Sequence, residues 1–450
     1  VLLALCLGAA ARPAAATSDF LEGVVSDSGG AGVGPIVRAD RSLYRGAGVR
    51  FDLLPAYIYE GELLYLHADR VGVKLDFGPR AHFSAFLSRR LESFPVERFP
   101  SDLQGMSRRE PETDLGLSFE QRSSWGNLFG EALRDASGTS GGSELRLGYS
   151  MPIHAGNLIL APYFSLALRD AELNDYYYGV LPSEATADRP SYFPGRGLNA
   201  SVGLNMRYDL ALRWHLLAGV SATEWSSGVR RSPIVENRPQ VSAFTGFAYE
   251  FVPTPPREDD HDPLIFKVLY GRATSCNLLP VMEVRCRSID TPDRTGVFAV
   301  EVGRPIVEEP HDWHVMVAWY AGLLRHEERG FQNDSWQLDV YLKAFYWGFP
   351  WSDHVRTRIG FGGGLSFAQA VPYVERRDQD ARGRNTSKLL QYLDPTIDVS
   401  IGDLIGDRTL RETYFGLGVS HRSGIFGASQ LYSNVNGGSN YIYAYIEWRI

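Results

Sequence analysis

Short runs in which apolar and polar residues alternate recur along nearly the whole chain, separated by turn residues. Residues 240–251 are the clearest. Phe244, Gly246, Ala248 and Glu250 fall on one face, and Thr245, Phe247, Tyr249 and Phe251 on the other, because successive side chains of a strand point to opposite sides. A proline-rich break follows at once. A second run ends the sequence at 440–450, where Ile442, Ala444, Ile446, Trp448 and Ile450 alternate with Tyr441, Tyr443, Tyr445, Glu447 and Arg449.

Before the first of them the pattern predicts strands over 50–58, 63–68, 72–77, 81–87, 115–119, 125–133, 143–151, 157–168, 197–208 and 213–224. Residues 89–112 and 170–194 interrupt as long polar loops, and 26–34 is a polar, glycine-rich lead-in. Residues 253–263, PTPPREDDHDP, have no apolar face and predict a linker. Beyond it come 264–273, 296–303, 314–324, 335–345, 355–367, 400–404, 412–421 and 440–450. Leu389, Leu390 and Leu393 lie at helical spacing and predict a short loop helix.

Regular strand-and-turn spacing with aromatic closing strands is the mark of an all-β, transmembrane antiparallel β-barrel. Two closing strands predict two tandem barrels of about twelve and about eight strands; one barrel of about twenty, with 253–263 as a loop, is the alternative. The domains expected are a signal peptide over 1–16, a first barrel over 17–252, the linker over 253–263 and a second, small barrel over 264–450.

Composition agrees. Aromatics make up 12% of the 450 residues, with 23 Tyr, 23 Phe and 9 Trp, as suits girdles at two membrane interfaces. The net charge of −8 gives no general basic surface for nucleic acid. The first residues, VLLALCLGAAARPAAATSDF, have the apolar core and A-x-A pattern of an export signal, with the cut after Ala16. Export to an oxidising compartment would let Cys276 and Cys286 form a disulfide. Without paired histidines they make no metal site. No cofactor fingerprint is present.

Several stretches of the first half resemble the MipA/OmpV family of outer-membrane proteins: residues 173–180 (LNDYYYGV), Ser183-Glu184-Ala185, Tyr192, Pro194-Gly195, residues 232–235 (SPIV) and the strand ending FAYEF at 247–251. The resemblance covers about 29–251 and implies an outer-membrane barrel. For one branch of that family it implies a scaffold between a murein hydrolase and a murein synthase. Tyr176, Tyr177 and Tyr178 are expected as interfacial aromatics at a loop entry.

Near the C-terminus, residues 419–424 (VSHRSG) are similar to the His-x-Ser pair of the PagL-type lipid A 3-O-deacylases, eight-stranded outer-membrane esterases. Two residues apart on a strand, His421 and Ser423 share a face. The imidazole could take the hydroxyl proton while the oxygen attacks an acyl ester. In that family an orienting acid lies on the following strand. Residues 424–446 contain no acid, so Glu447 is the first available, with Asp398, Asp403 and Glu412 upstream. The partners this implies are outer-membrane lipids and lipopolysaccharide, beside murein enzymes for the first half. The plainer reading makes the pair part of a polar barrel filling.

Arg356, Arg358, Arg376, Arg377, Arg382 and Arg384 cluster in sequence, suiting lipid phosphates or, with Glu375, Asp378 and Asp380 among them, ion pairs. His311, Asp312 and His314 could suggest a metal, but they follow Pro310 in an expected turn and no metal site is expected there. Residues 347–351 are expected as an aromatic girdle turn.

Overall fold

In strand after strand of the computed structural model, exposed apolar side chains alternate with buried ones. In residues 112–120, for example, Leu115 and Leu117 are exposed while Glu112, Asp114 and Glu120 are buried. The structure describes residues 30–450, with Leu21 and Val24, except positions 79, 95–99, 212, 252–262, 287, 290 and 309–312. The expected signal peptide, nearly all of the linker, His311 and Asp312 lie outside the described residues. The chain divides into two units, Val1–Glu250 and Phe251–Ile450.

The first unit contains β1 (Gly30–Arg41), β2 (Val49–Glu60), β3 (Leu64–His67), β4 (Arg70–Phe77), β5 (Ala81–Arg90), β6 (Glu112–Ser123) and β7 (Gly126–Asp135). It continues with β8 (Ser143–Ser150), β9 (Ile153–Ala155), β10 (Leu158–Arg169), β11 (Gly197–Ala211), β12 (Trp214–Glu224) and β13 (Gln240–Phe251). Neighbours pair antiparallel, β13 returns to β1 and β10 pairs with β11, which closes a twelve-stranded barrel with β9 as a short spur. β1 begins inside the stretch that looked like a polar lead-in, since its glycines hide the alternation.

Loops and turns segregate. Long connections at 42–48, 91–111, 170–196 and 225–239 share one end, and tight turns such as 124–125 the other. In outer-membrane barrels the long loops face outside. Here they build a core of their own from Tyr44, Phe94, Leu103, Leu173, Tyr177, Tyr178, Trp225 and Ile234. The expected interfacial tyrosines are thus corrected: residues Ala171–Tyr178 form a helix, capped by the Asp170 carboxylate on the Leu173 amide. Its Tyr177 and Tyr178 are buried inside the cap. A helix turns every 3.6 residues, so three consecutive tyrosines spread around it, two inward.

The second unit contains β14 (Ile265–Ala273), β15 (Gly296–Glu308), β16 (Val315–Glu327), β17 (Ser335–Tyr346), β18 (Thr357–Ala368), β19 (Leu389–Ser400), β20 (Thr413–Ser423) and β21 (Asn440–Arg449). They form a closed eight-stranded barrel in chain order. Two local expectations are corrected. Leu389, Leu390 and Leu393 belong to β19, and the loop helix lies earlier, at Tyr373–Asp380; residues 401–405, expected in a strand, are a short helix.

The interior of this barrel is filled. Asp394 accepts from Lys267 Nζ at 3.1 Å, Lys343 Nζ at 2.5 Å and Tyr443, all completely or almost completely buried. A layer further toward the turns, Arg358 clasps Asp398 through two bonds of 2.9 Å and reaches Glu447 at 2.7 Å. β18 turns Gly360, Gly362 and Gly364 inward. A Cβ on Gly360 would fall 2.7 Å from the Lys343 side chain, and one on Gly362 2.9 Å from the Tyr341 ring. The glycines therefore make the room that the long side chains of β17 occupy.

Candidate active site

Burial along β20 separates two faces. Tyr414, Ser420 and Arg422 are buried in the lumen, whereas Phe415 is 48% and Leu417 54% exposed on the outer wall. The alternation puts His421 and Ser423 on that outer wall, beyond the apolar band. They stand at the end where the long connections 274–295, 328–334, 369–388 and 424–439 gather. Neither lies in the lumen filling.

Glu447 does lie there. It accepts from Arg358 and, at 3.1 Å, from the Tyr320 hydroxyl. In the ladder it pairs with Tyr414, while His421 pairs with Asn440. Seven residues further along β21, at about 3.3 Å per residue, and on the opposite face, Glu447 cannot orient His421. Asp398 is held by Arg358, Asp403 by Arg411 and Glu412 by Arg356.

Asn440 takes the position instead. Its Oδ1 lies 2.6 Å from His421 Nδ1, and its Nδ2 donates to the backbone carbonyl of Cys276 at 3.0 Å. A carbonyl only accepts, so the amide must turn its NH2 toward Cys276 and its oxygen toward the ring. His421 Nδ1 therefore donates to Asn440, and the ring also lies against the backbone of Ser439. A search for an acid on the following strand passed over this residue; the signal available was an amide across the ladder from the histidine.

Ser423 Oγ accepts from the Ile425 amide at 3.2 Å, and no hydrogen bond joins it to His421 in this structure. Accepting from a backbone donor leaves the hydroxyl hydrogen available. The chain then enters the left-handed region three times in succession, at Ile425 (φ 51°), Phe426 (φ 55°) and Gly427 (φ 81°). For the two non-glycine residues this costs about 1–3 kcal/mol each. Two amides of this run are already engaged: Ile425 N donates to Ser423 Oγ, and Gly427 N donates to the Val435 carbonyl at 2.9 Å. The Phe426 side chain is 87% exposed.

Between the pair, Arg422 points inward and ties the strand to its surroundings. It bonds Glu375 at 3.0 Å, Ser366 at 3.0 Å and the Ser387 carbonyl at 2.9 Å. Burial pushes the Glu375 carboxyl above its usual range, although Arg422 beside it works the other way. Cys276 and Cys286 are joined as a disulfide, with Cα atoms 5.8 Å apart. Of the clustered arginines, Arg358 serves the lumen and Arg377 pairs with Asp293, while Arg376, Arg382 and Arg384 are exposed on the loop end. Among the described residues no cluster of His, Cys, Asp or Glu could hold a metal ion.

In the first unit ion pairs run along the strands, such as Arg70 with Glu131 and His215 with Glu250, and others lie under the cap. Arg169 holds Glu92 at 2.5 and 2.9 Å, and the Tyr178 hydroxyl donates to Glu92 at 3.0 Å. Burial alone would raise the Glu92 carboxyl, but Arg169 outweighs it and lowers it. Arg109 clasps Glu184 with bonds of 3.1 and 2.8 Å. These are structural pairs with no nucleophile among them.

Comparison with known proteins bears on this unit. Residues 30–251 match the family model described as MltA-interacting protein MipA. The outer-membrane protein Omp26La of Vibrio anguillarum is 28% identical over 43% of this chain and 76% of its own length. The putative outer-membrane protein YiaT of Escherichia coli K12 is 25% identical over 47% of this chain and 87% of its own. OmpV of Vibrio cholerae is 27% identical over 34% and 59%. With the two closed barrels, these relatives place the chain in the cell outer membrane as a β-barrel protein. The MipA match spans the whole first barrel with its tyrosine-rich cap, and it ends at β13.

Proposed function

We propose that the second barrel is an acyl-ester hydrolase working on lipid at the loop-bearing leaflet of the outer membrane. One observation carries this reading: His421 and Ser423, both half-buried, share the outer face of β20 at the loop end, with the histidine's Nδ1 held by Asn440. A polar filling would have put them inside, where Arg358, Asp394 and Glu447 are.

The chemistry follows the serine–histidine scheme with an amide in the orienting place. Ser423 Oγ attacks the acyl carbonyl carbon while its proton passes to His421 Nε2. The Oγ–C bond forms, and the carbonyl π pair moves onto its oxygen, which becomes an oxyanion. When the intermediate collapses, the ester C–O bond breaks and the departing alcohol oxygen takes the proton from Nε2. Water then attacks the acyl-serine, giving its proton to Nε2, and Ser423 recovers that proton as the fatty acid leaves. Throughout, Asn440 Oδ1 accepts from Nδ1–H, holding the ring and easing its transient positive charge. The similarity to PagL-type deacylases makes an acyl chain of lipid A the first substrate to try.

A fluorophosphonate probe with an alkyl chain tests the nucleophile. Peptide mapping should find the adduct on Ser423, and His421→Ala should abolish it. Labelling elsewhere, or equal labelling of Ser423→Ala, would refute the assignment.

For the first barrel, the MipA match supports a second role as an envelope scaffold. That family's description names interaction with MltA, and the corresponding partner here would be a murein-processing enzyme. Co-purification of such an enzyme with the first barrel, lost when loops 91–111 and 170–196 are replaced, is the expected result; recovery with the second barrel instead would overturn it.

A further inference from the structure

We infer that the disulfide-closed loop over residues 276–286 is a positioning element for His421, acting through the Cys276 carbonyl on the side-chain amide of Asn440. The inference rests on the hydrolase reading above and concerns what keeps that amide the right way round.

An asparagine amide is nearly symmetric in shape, so sterics do not choose between its two flips. Turned over, Asn440 would present NH2 to His421, and Nδ1 would have to accept. The imidazole hydrogen would then sit on Nε2, and the ring could no longer take the serine proton. Of the two side-chain contacts of Asn440, only the Cys276 carbonyl selects the flip, because a backbone carbonyl cannot donate.

What places that carbonyl is the bridge. The chain leaves β14 beside the start of β21, with the Thr274 amide donating to Asn440 O at 3.0 Å and the Cys276 amide to Thr274 Oγ1 at 3.0 Å. Beyond Cys276 packing is light, although the chain still meets β20. The short helix Leu278–Met282 buries none of its residues, and Leu279 is 65% exposed. Cys276, by contrast, is 3% exposed. The covalent link to Cys286 fixes the point where the loop departs.

The test crosses two changes in the full-length protein: loss of the bridge (Cys276→Ser with Cys286→Ser) and Asn440→Asp. Turnover of micellar p-nitrophenyl laurate is the assay, with heat-modifiable gel mobility reporting a closed barrel. With Asn440 present, bridge loss should lower kcat roughly ten- to hundredfold, as expected when a catalytic group is misplaced by about 1 Å, leaving mobility unchanged. Asn440→Asp behaves differently. A carboxylate needs no flip chosen and is repelled by the Cys276 carbonyl, so releasing the loop should leave kcat unchanged or raise it. A merely structural bridge would lower kcat equally in both backgrounds, and that result, or no effect in either, would overturn the inference. If wild type and Ser423→Ala turn over the ester equally, the hydrolase reading itself has failed.

Discussion

Replacing Asp394 by asparagine removes the one negative group that Lys343 touches among the described residues. Lys267, Lys343, Asp394 and Glu301 form a cluster of two positive and two negative groups, each fully buried. Lys267 keeps Glu301 at 3.1 Å after the change, but Lys343 keeps no ion partner. Breaking a buried ion pair from one side costs about 3–5 kcal/mol, because the remaining charge stays desolvated. For a unit of this size that lowers Tm by roughly 6–20 °C. Differential scanning calorimetry in detergent, with heat-modifiable mobility as a check on closure, measures it. The double variant Asp394→Asn with Lys343→Met should recover most of the loss, since apolar groups of similar shape replace buried ions at little cost. A single variant as stable as wild type, or a double variant worse than the single, would refute the reasoning.

Three further outcomes are expected. Asn440→Ala should lower ester turnover by about ten- to ten-thousandfold, toward the loss seen when a catalytic histidine adopts the wrong tautomer, with mobility on gels unchanged. Leu173→Ala, at a fully buried site in the cap, should cost about 2–5 kcal/mol of local stability, seen as faster hydrogen exchange in residues 171–180 with β13 unaffected. Burial favours the neutral form of Glu184, but Arg109 and the Leu181 and Ser107 amides outweigh it and hold the carboxyl at about 2 against 4.5 ordinarily. Its contribution to the cap is therefore complete above about pH 4.5 and is lost as pH falls through about 2. Protection of residues 181–184 against exchange should collapse between pH 4 and pH 1.5, and Glu184→Gln should lack that transition.

The strands were legible because a barrel in lipid writes its two faces into the sequence with period two; residues 240–251 and 440–450 show this best. Legibility failed where another rule governed. Leu389, Leu390 and Leu393 mimic helical spacing, yet β19 buries Leu390 fully beside partly buried neighbours, so a strand end with apolar residues on both faces produced the false period. Tyr176, Tyr177 and Tyr178 looked interfacial because nothing local reveals that four loops converge into one core. His421 and Ser423 were found from their spacing, but their outward direction depends on β20's register. Glu447 was chosen by chemistry alone; only the pairing of His421 with Asn440 shows that an amide, held by a carbonyl just beyond the neighbouring strand β14, stands beside the imidazole.

The central claim is that Ser423 and His421 cleave an acyl ester in the outer membrane. Mass spectrometry of lipid A from cells expressing wild type, Ser423→Ala or His421→Ala tests it most directly, with heat-modifiable mobility showing that all three barrels are closed. The account predicts loss of one acyl chain, by the mass of a fatty acid less water, with wild type alone. Identical lipid A in all three, with phospholipids also unchanged, would contradict it.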